Sequence, residues 1–164
     1  MKRLLLSALA LSGVLVAGCG VQPTGVVPAG PAPAGFGSGR DSTQLTLYFL
    51  YDGRLTPVAR NQADEVSPDA ALKALFRGPS AAESAKGFFS LLPSGSPAVS
   101  VDTATSPVTV TVPYSAETLY PNGMNQIVCT TMAALSVSGL ASGAYGISVH
   151  ATDVQLDNLT CGTF

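Results

Sequence analysis

The run from Leu75 to Gly95 restricts what this chain can fold into more than any other stretch. It reads Leu75-Phe76-Arg77-Gly78-Pro79-Ser80, and later Gly87-Phe88-Phe89-Ser90-Leu91-Leu92-Pro93-Ser94-Gly95. Gly takes the left-handed position after a helix most easily, so a helix ends at Gly78. Pro79 cannot continue that helix. Ser80 and Glu83 stand at capping-box spacing, which predicts a second, short helix that Gly87 closes. Phe88, Phe89, Leu91 and Leu92 are too apolar for a solvated loop, so all four are expected in the core beneath the helices. Pro93-Ser94-Gly95-Ser96 then turns the chain into the next strand.

The flanking segments carry their own periodicities. Leu45 to Tyr51 reads as a buried strand. Asp52-Gly53 is a two-residue hairpin turn, and Arg54 to Arg60 returns as the partner strand. Pro57 lacks an amide donor, which places that strand at an edge. Ser67-Pro68-Asp69 opens a helix with a cap, a proline at its first position and an acid near the positive dipole end. Its apolar stripe is Ala71, Leu72, Leu75 and Phe76. Val99 and Val101 form a short strand. Val108, Val110 and Val112 alternate with Thr109 and Thr111 as a half-buried one. A second long helix spans 125–136, with Ile127, Val128, Thr131, Met132 and Leu135 on one face. A final strand starts at Ile147 and runs towards Leu156. The order β-β-α-α-β-β-α-β predicts one small α+β domain over residues 43–164, with a mixed or antiparallel sheet of about five strands and two main helices.

These residues resemble the GerMN family, the sporulation and spore germination domain of bacterial envelope proteins. The family pattern is matched at Leu75, Gly78, Pro79, Ser80, Gly87, Leu92, Pro93 and Gly95. Leu47-Tyr48-Phe49-Leu50 with Leu55 to Arg60 looks like its opening hairpin. Asn125-Gln126-Ile127-Val128-Cys129-Thr130 looks like its second helix. The resemblance covers about residues 45–155. It implies a small α+β fold, similar to ring-building modules of sporulation machinery. It also implies a signature of structural residues (Gly78, Pro79, Ser80, Gly87, Pro93, Gly95, Gln126) without a catalytic set. Relatives carry the domain in lipoproteins that modulate sensor kinases, in spore proteins and beside cell-wall hydrolases. The implied role here is an accessory or interaction one.

The N-terminus reads as an address. Lys2-Arg3 precedes an apolar run from Leu4 to Val16 that is short for a membrane span. Val16-Ala17-Gly18-Cys19 resembles the bacterial lipobox. Residues 1–18 are therefore expected to be a lipoprotein signal peptide, with Cys19 lipidated and the domain held at the outer side of the cell membrane. Residues 19–42 form a Pro/Gly/Ala linker without an apolar face. Loss of Lys2 and Arg3 leaves 6 of the 8 basic residues against 10 acidic ones, a net charge of −4. No basic stripe interleaved with aromatics exists, so nucleic acid is not an expected partner.

Lipidation consumes one of the three cysteines. Cys129 and Cys161 remain in an exported chain, where a disulfide is favoured over a reactive thiol or a metal site. Cys129 lies off the centre of its helix's apolar stripe, so the bridge should pin the C-terminal segment across a flank of that helix.

Catalytic patterns are sparse. There is no Gly-x-Ser-x-Gly. His150 is the single histidine and sits within a strand. Asp64, Glu65, Asp69 and Glu83 are the one local cluster of acids, at helix starts where acids are favoured anyway. No cofactor or metal is expected. Two readings stand. One is a non-enzymatic envelope lipoprotein with a protein partner. The alternative is a lipoprotein that binds a small ligand or cell-wall glycan, for which Tyr48, Tyr51, Tyr114, Tyr120 and Tyr145 could line a groove.

Overall fold

The computed structural model describes residues 43–140 and 146–163. Cys19, the signal segment and the linker lie outside the described residues. Among the described residues ten elements follow in order: β1 (Gln44–Tyr51), β2 (Arg54–Asn61), α1 (Pro68–Phe76), α2 (Ala81–Ala85), β3 (Ser100–Asp102), β4 (Val108–Thr111), α3 (Ala116–Leu119), α4 (Asn122–Val137), β5 (Ile147–His150) and β6 (Gln155–Leu159). The class is α+β, as the sequence predicts. The strands form two sheets, one of two strands and one of four.

β1 and β2 pair antiparallel, with Tyr51 opposite Arg54. Asp52 (φ 48°) and Gly53 (φ 70°) make the turn, the two positive φ values that a twisted two-residue hairpin needs. Inner residues Leu45, Leu47 and Phe49 join the core. Pro57 lies opposite Tyr48. Hydrogen bonding alternates along the ladder, and Leu50 on the same phase as Tyr48 bonds away from β2, to Phe89. The missing N–H of Pro57 is thus no loss to the pair.

Helix α1 follows its signals. Ser67 accepts a hydrogen bond from the Ala70 amide at 3.2 Å, and Pro68 opens the helix. Ala71, Leu72, Leu75 and Phe76 are all buried. Burial of Leu72, Leu75 and Phe76 contributes about 1.5–3 kcal/mol each. Gly78 stands just past the end at φ 82°. Ser80 then caps α2 in a full capping box with Glu83. Gly87 (φ 95°) follows that helix.

The four apolar residues after Gly87 do not all enter the core. Phe88 is half-buried against it and Leu92 is buried, but Phe89 and Leu91 are 43% and 50% exposed. The segment runs extended, not as a helix. Leu50 and Phe89 exchange both backbone hydrogen bonds at 2.9 Å. An extended chain alternates its side chains with period two, so only every second residue can face inward.

The second sheet has the order β3-β4-β5-β6. β4 and β5 are parallel, the other pairs antiparallel. Parallel neighbours need a long crossover, and α3 and α4 supply it. The chain after Ile147 is two strands, not one. It turns between His150 and Gln155 and returns as β6. Asp157 and Asn158 together oppose Ser148 in a bulge, and Asn158 takes φ 57° there. α3 is an element that the periodicity did not reveal.

Helix α4 starts three residues earlier than the sequence suggests and is buried almost all round from Gly123 to Thr131. It packs against β1, α1 and α3 at once. Its flank carries Cys129, which is bonded to Cys161 with a Cα separation of 4.6 Å, slightly under the spacing typical of disulfides. Cys129 is buried but stands outside the core cluster, consistent with its off-stripe position.

Candidate functional site

The seven signature residues fall into two groups. Gly78, Pro79, Ser80 and Gly87 shape the links around α2. Pro93 and Gly95 lie in the turn after the extended segment, with Gly95 at φ 146°. Gln126 sits apart in sequence but reaches the same region. Its side-chain N–H donates to the Tyr48 carbonyl at 2.9 Å, and its Oε1 accepts from the Leu91 amide at 3.0 Å. Tyr48 and Leu91 are the pair that would meet next in register after Leu50 and Phe89. The Gln126 amide stands between them in place of a direct backbone bond. One turn on, Thr130 Oγ1 accepts from the Tyr48 amide at 3.0 Å. Two side chains of α4, four residues apart, thereby complete the free edge of β1. The side chains of Gln126 and Thr130 are fully buried.

Glu83 is held in the same neighbourhood. Arg60 reaches from β2, donates Nε–H to Glu83 Oε1 at 2.9 Å and forms an ion pair with Oε2. It also donates to the Gly78 carbonyl at 3.1 Å and stacks 5.4 Å over the Phe49 ring. The Arg60 guanidinium, with help from the Ser80 amide, lowers the Glu83 carboxyl from 4.5 to about 2. A carboxylate held ionised in this way is a poor general acid at neutral pH.

The other acids are spread over the molecule. Asp69 accepts from the Val101 amide at 3.1 Å and ties α1 to β3. Asp153 accepts from the Ala116 amide at 2.8 Å at the start of α3. Asp157 accepts from Ser148 Oγ at 2.6 Å and from Gln155, bonds that lower its carboxyl below the ordinary value. Ser148 and Asp157 share the outer face of the four-stranded sheet with His150, but Ser148 bonds the carboxylate directly, so no imidazole stands between nucleophile and acid. The expected cluster of Asp64, Glu65, Asp69 and Glu83 is not a constellation, because Asp69 and Glu83 serve different elements. Among the described residues, no group of three His, Cys, Asp or Glu is placed to hold a metal.

Two surfaces remain. A surface hollow of about 350 Å³ is lined by Lys73, Arg77, Ser96 and Pro97. The other is the outer face of the β1–β2 sheet, extended by the segment that pairs with Leu50. Tyr48, Leu50, Leu55, Pro57, Phe89 and Leu91 lie on it. Leu50 is buried but belongs to no core cluster, which places it on this side. Nothing in a reading of Phe88 to Leu92 as core pointed here. The placement of Leu55 and Pro57 on this side follows only once the hairpin register is known. The chain matches no protein-family model, no curated protein and no solved structure.

Proposed function

We propose that this chain is a membrane-anchored envelope lipoprotein whose folded domain is a non-catalytic, GerMN-like protein-interaction module. Cys19 would hold it at the extracytoplasmic face. The module would act as an accessory to a cell-envelope, sporulation or sensor-kinase system. One observation carries the reading: the uncharged outer face of the hairpin sheet, on which Pro57, Phe89 and Leu91 are exposed. A sheet face of that kind marks an interaction surface more often than a catalytic one. The acids add support, since those with hydrogen bonds serve as structural acceptors.

A photoreactive residue placed at exposed Ala59 in the full chain tests the interaction role. In intact envelopes it should crosslink to protein. Labelling of lipid alone, or of nothing, would defeat the reading. Anchoring has its own test. Cys19→Ala should release the protein or leave an unprocessed precursor, and an unmodified mature N-terminus elsewhere, found by mass spectrometry, would refute it.

The small-ligand alternative has the hollow beside Lys73 and Arg77 in its favour. Both cations lie near the C-terminal end of α1, where the helix dipole favours them without a ligand. Saturable binding of an anionic glycan fragment that Arg77→Ala abolishes would move the balance to that reading.

A further inference from the structure

Helix α1 turns most of its second half inward. From Ala71 to Arg77 only Lys73 and Arg77 are exposed. They stand four residues apart, on one line down the helix with Asp69. Asp69 is already committed, because its carboxylate accepts the Val101 amide and fastens α1 to β3. From that clamp the chain before β3 runs back along α1, and Ser96 and Pro97 come to lie beside Lys73 and Arg77. The Val99 amide donates to the Pro97 carbonyl at 3.0 Å, and Val99 is buried, which fixes this wall. The hollow of about 350 Å³ lies between the two walls. The helix dipole accounts for cations at this end of α1. It does not account for two of them standing beside a hollow, without an acid, in an acidic domain. Residues 43–163 hold 9 acidic and 5 basic side chains. Among the described residues no acid pairs with Lys73 or Arg77, and the ion pair that forms is Arg60 with Glu83.

We propose that this hollow holds the carboxylate of an Asp or Glu side chain on an exposed segment of a protein partner. The inference rests on the interaction reading above and gives the partner's chemistry. The Arg77 guanidinium presents a planar fork that matches a carboxylate, and Lys73 adds a compact charge. The Ser96 hydroxyl supplies a third donor. Like charges four residues apart on a helix repel, and a carboxylate between them removes that repulsion. Among the described residues no aromatic ring lines the hollow, so a sugar has no flat apolar face to stack on. The space admits the methylene stem of an acidic side chain against Pro97. The acids elsewhere on the domain repel a run of negative charge, so the site takes an isolated acid and not an acidic tract.

The test uses the full chain in intact envelopes, with a photoreactive residue at exposed Ala98, next to Pro97. The expected product is an adduct to a protein whose crosslinked peptide carries an Asp or Glu beside the point of attachment. Arg77→Glu should reduce it by at least about tenfold, because a charge-assisted pair is replaced by repulsion. Arg54→Glu, at the hairpin turn, should leave it unchanged. Replacing the partner's acid by Lys should restore the adduct in the Arg77→Glu chain. Circular dichroism of Arg77→Glu should match the native chain, since Arg77 is exposed. If that variant fails to fold, Lys73→Gln makes the same test by removing one charge. An adduct from Ala59 with none from Ala98 overturns this proposal and leaves the interaction reading standing. So does an Ala98 adduct that survives both variants, or one that the charge exchange does not restore. An Ala98 adduct to glycan alone overturns the proposal in favour of the small-ligand alternative. Absence of any adduct from either position overturns both.

Discussion

At Gly78 the backbone takes φ 82°, yet a Cβ added there would meet nothing within 4 Å. The demand for glycine is therefore one of backbone conformation, not of space. Gly78→Val should lose about 1–2 kcal/mol, the cost of a side chain in the left-handed region, with some addition for β-branching. An unchanged melting temperature would show that the turn relaxes freely. Gln126 is the opposite case, a residue required for its side chain. Gln126→Leu keeps the volume but strands the Tyr48 carbonyl and the Leu91 amide. Each unsatisfied group costs about 1–3 kcal/mol when buried. The variant should be destabilised by roughly 2–4 kcal/mol, and the Leu91 amide should exchange with solvent much faster. Gln126 could be singled out in the sequence, but its partners lie 78 and 35 positions away. Local spacing does not encode such contacts.

At the scale of elements, α2 is too short to hold itself together. It is kept by its capping box and by Arg60 of β2, both acting through Glu83. The folded Glu83 carboxyl is lowered to about 2 from 4.5, so its stabilisation is fully present above 4.5. It is lost as pH falls from there through about 2. Thermal unfolding should thus fall more steeply with acid in the native chain than in Glu83→Gln. The difference should stay within about 1 kcal/mol, since the pair is partly solvated. Parallel curves would mean that the ion pair persists in the unfolded chain or adds nothing. The capping box itself was legible, because Ser80 and Glu83 are neighbours on one turn. The extended segment that follows was not. Its apolar residues fit a helix-packed core or a strand equally well, and only pairing with Leu50 selects the strand.

For the whole molecule, the disulfide joins the centre of α4 to the chain's last residues across a separation of 32. Closing a loop of that length is worth about 3–4 kcal/mol in the chain-entropy account. Cys129→Ala with Cys161→Ser should fold but melt lower, and the described residues after Asp157 should show the largest gain in amide exchange. Equal stability of the two forms would mean that β6 docks firmly without the bridge. The pairing of Cys129 with Cys161 was readable from cysteine arithmetic, on the expectation of export with Cys19 lipidated, which leaves two cysteines and few alternatives. The hairpin, the caps of α1 and α2, the valine strand and the α+β class were also determined by the sequence. Each depends on residues a few positions apart, where turn chemistry and periodicity act directly. Tertiary structure alone decided the division into two sheets, the parallel pairing of β4 with β5 and the burial of α4 nearly all round. It alone decided, too, that the outer face of one sheet is polar and that of the other apolar. Those outcomes depend on which strands and helices meet across long separations, and a sheet face exists only once its register is set.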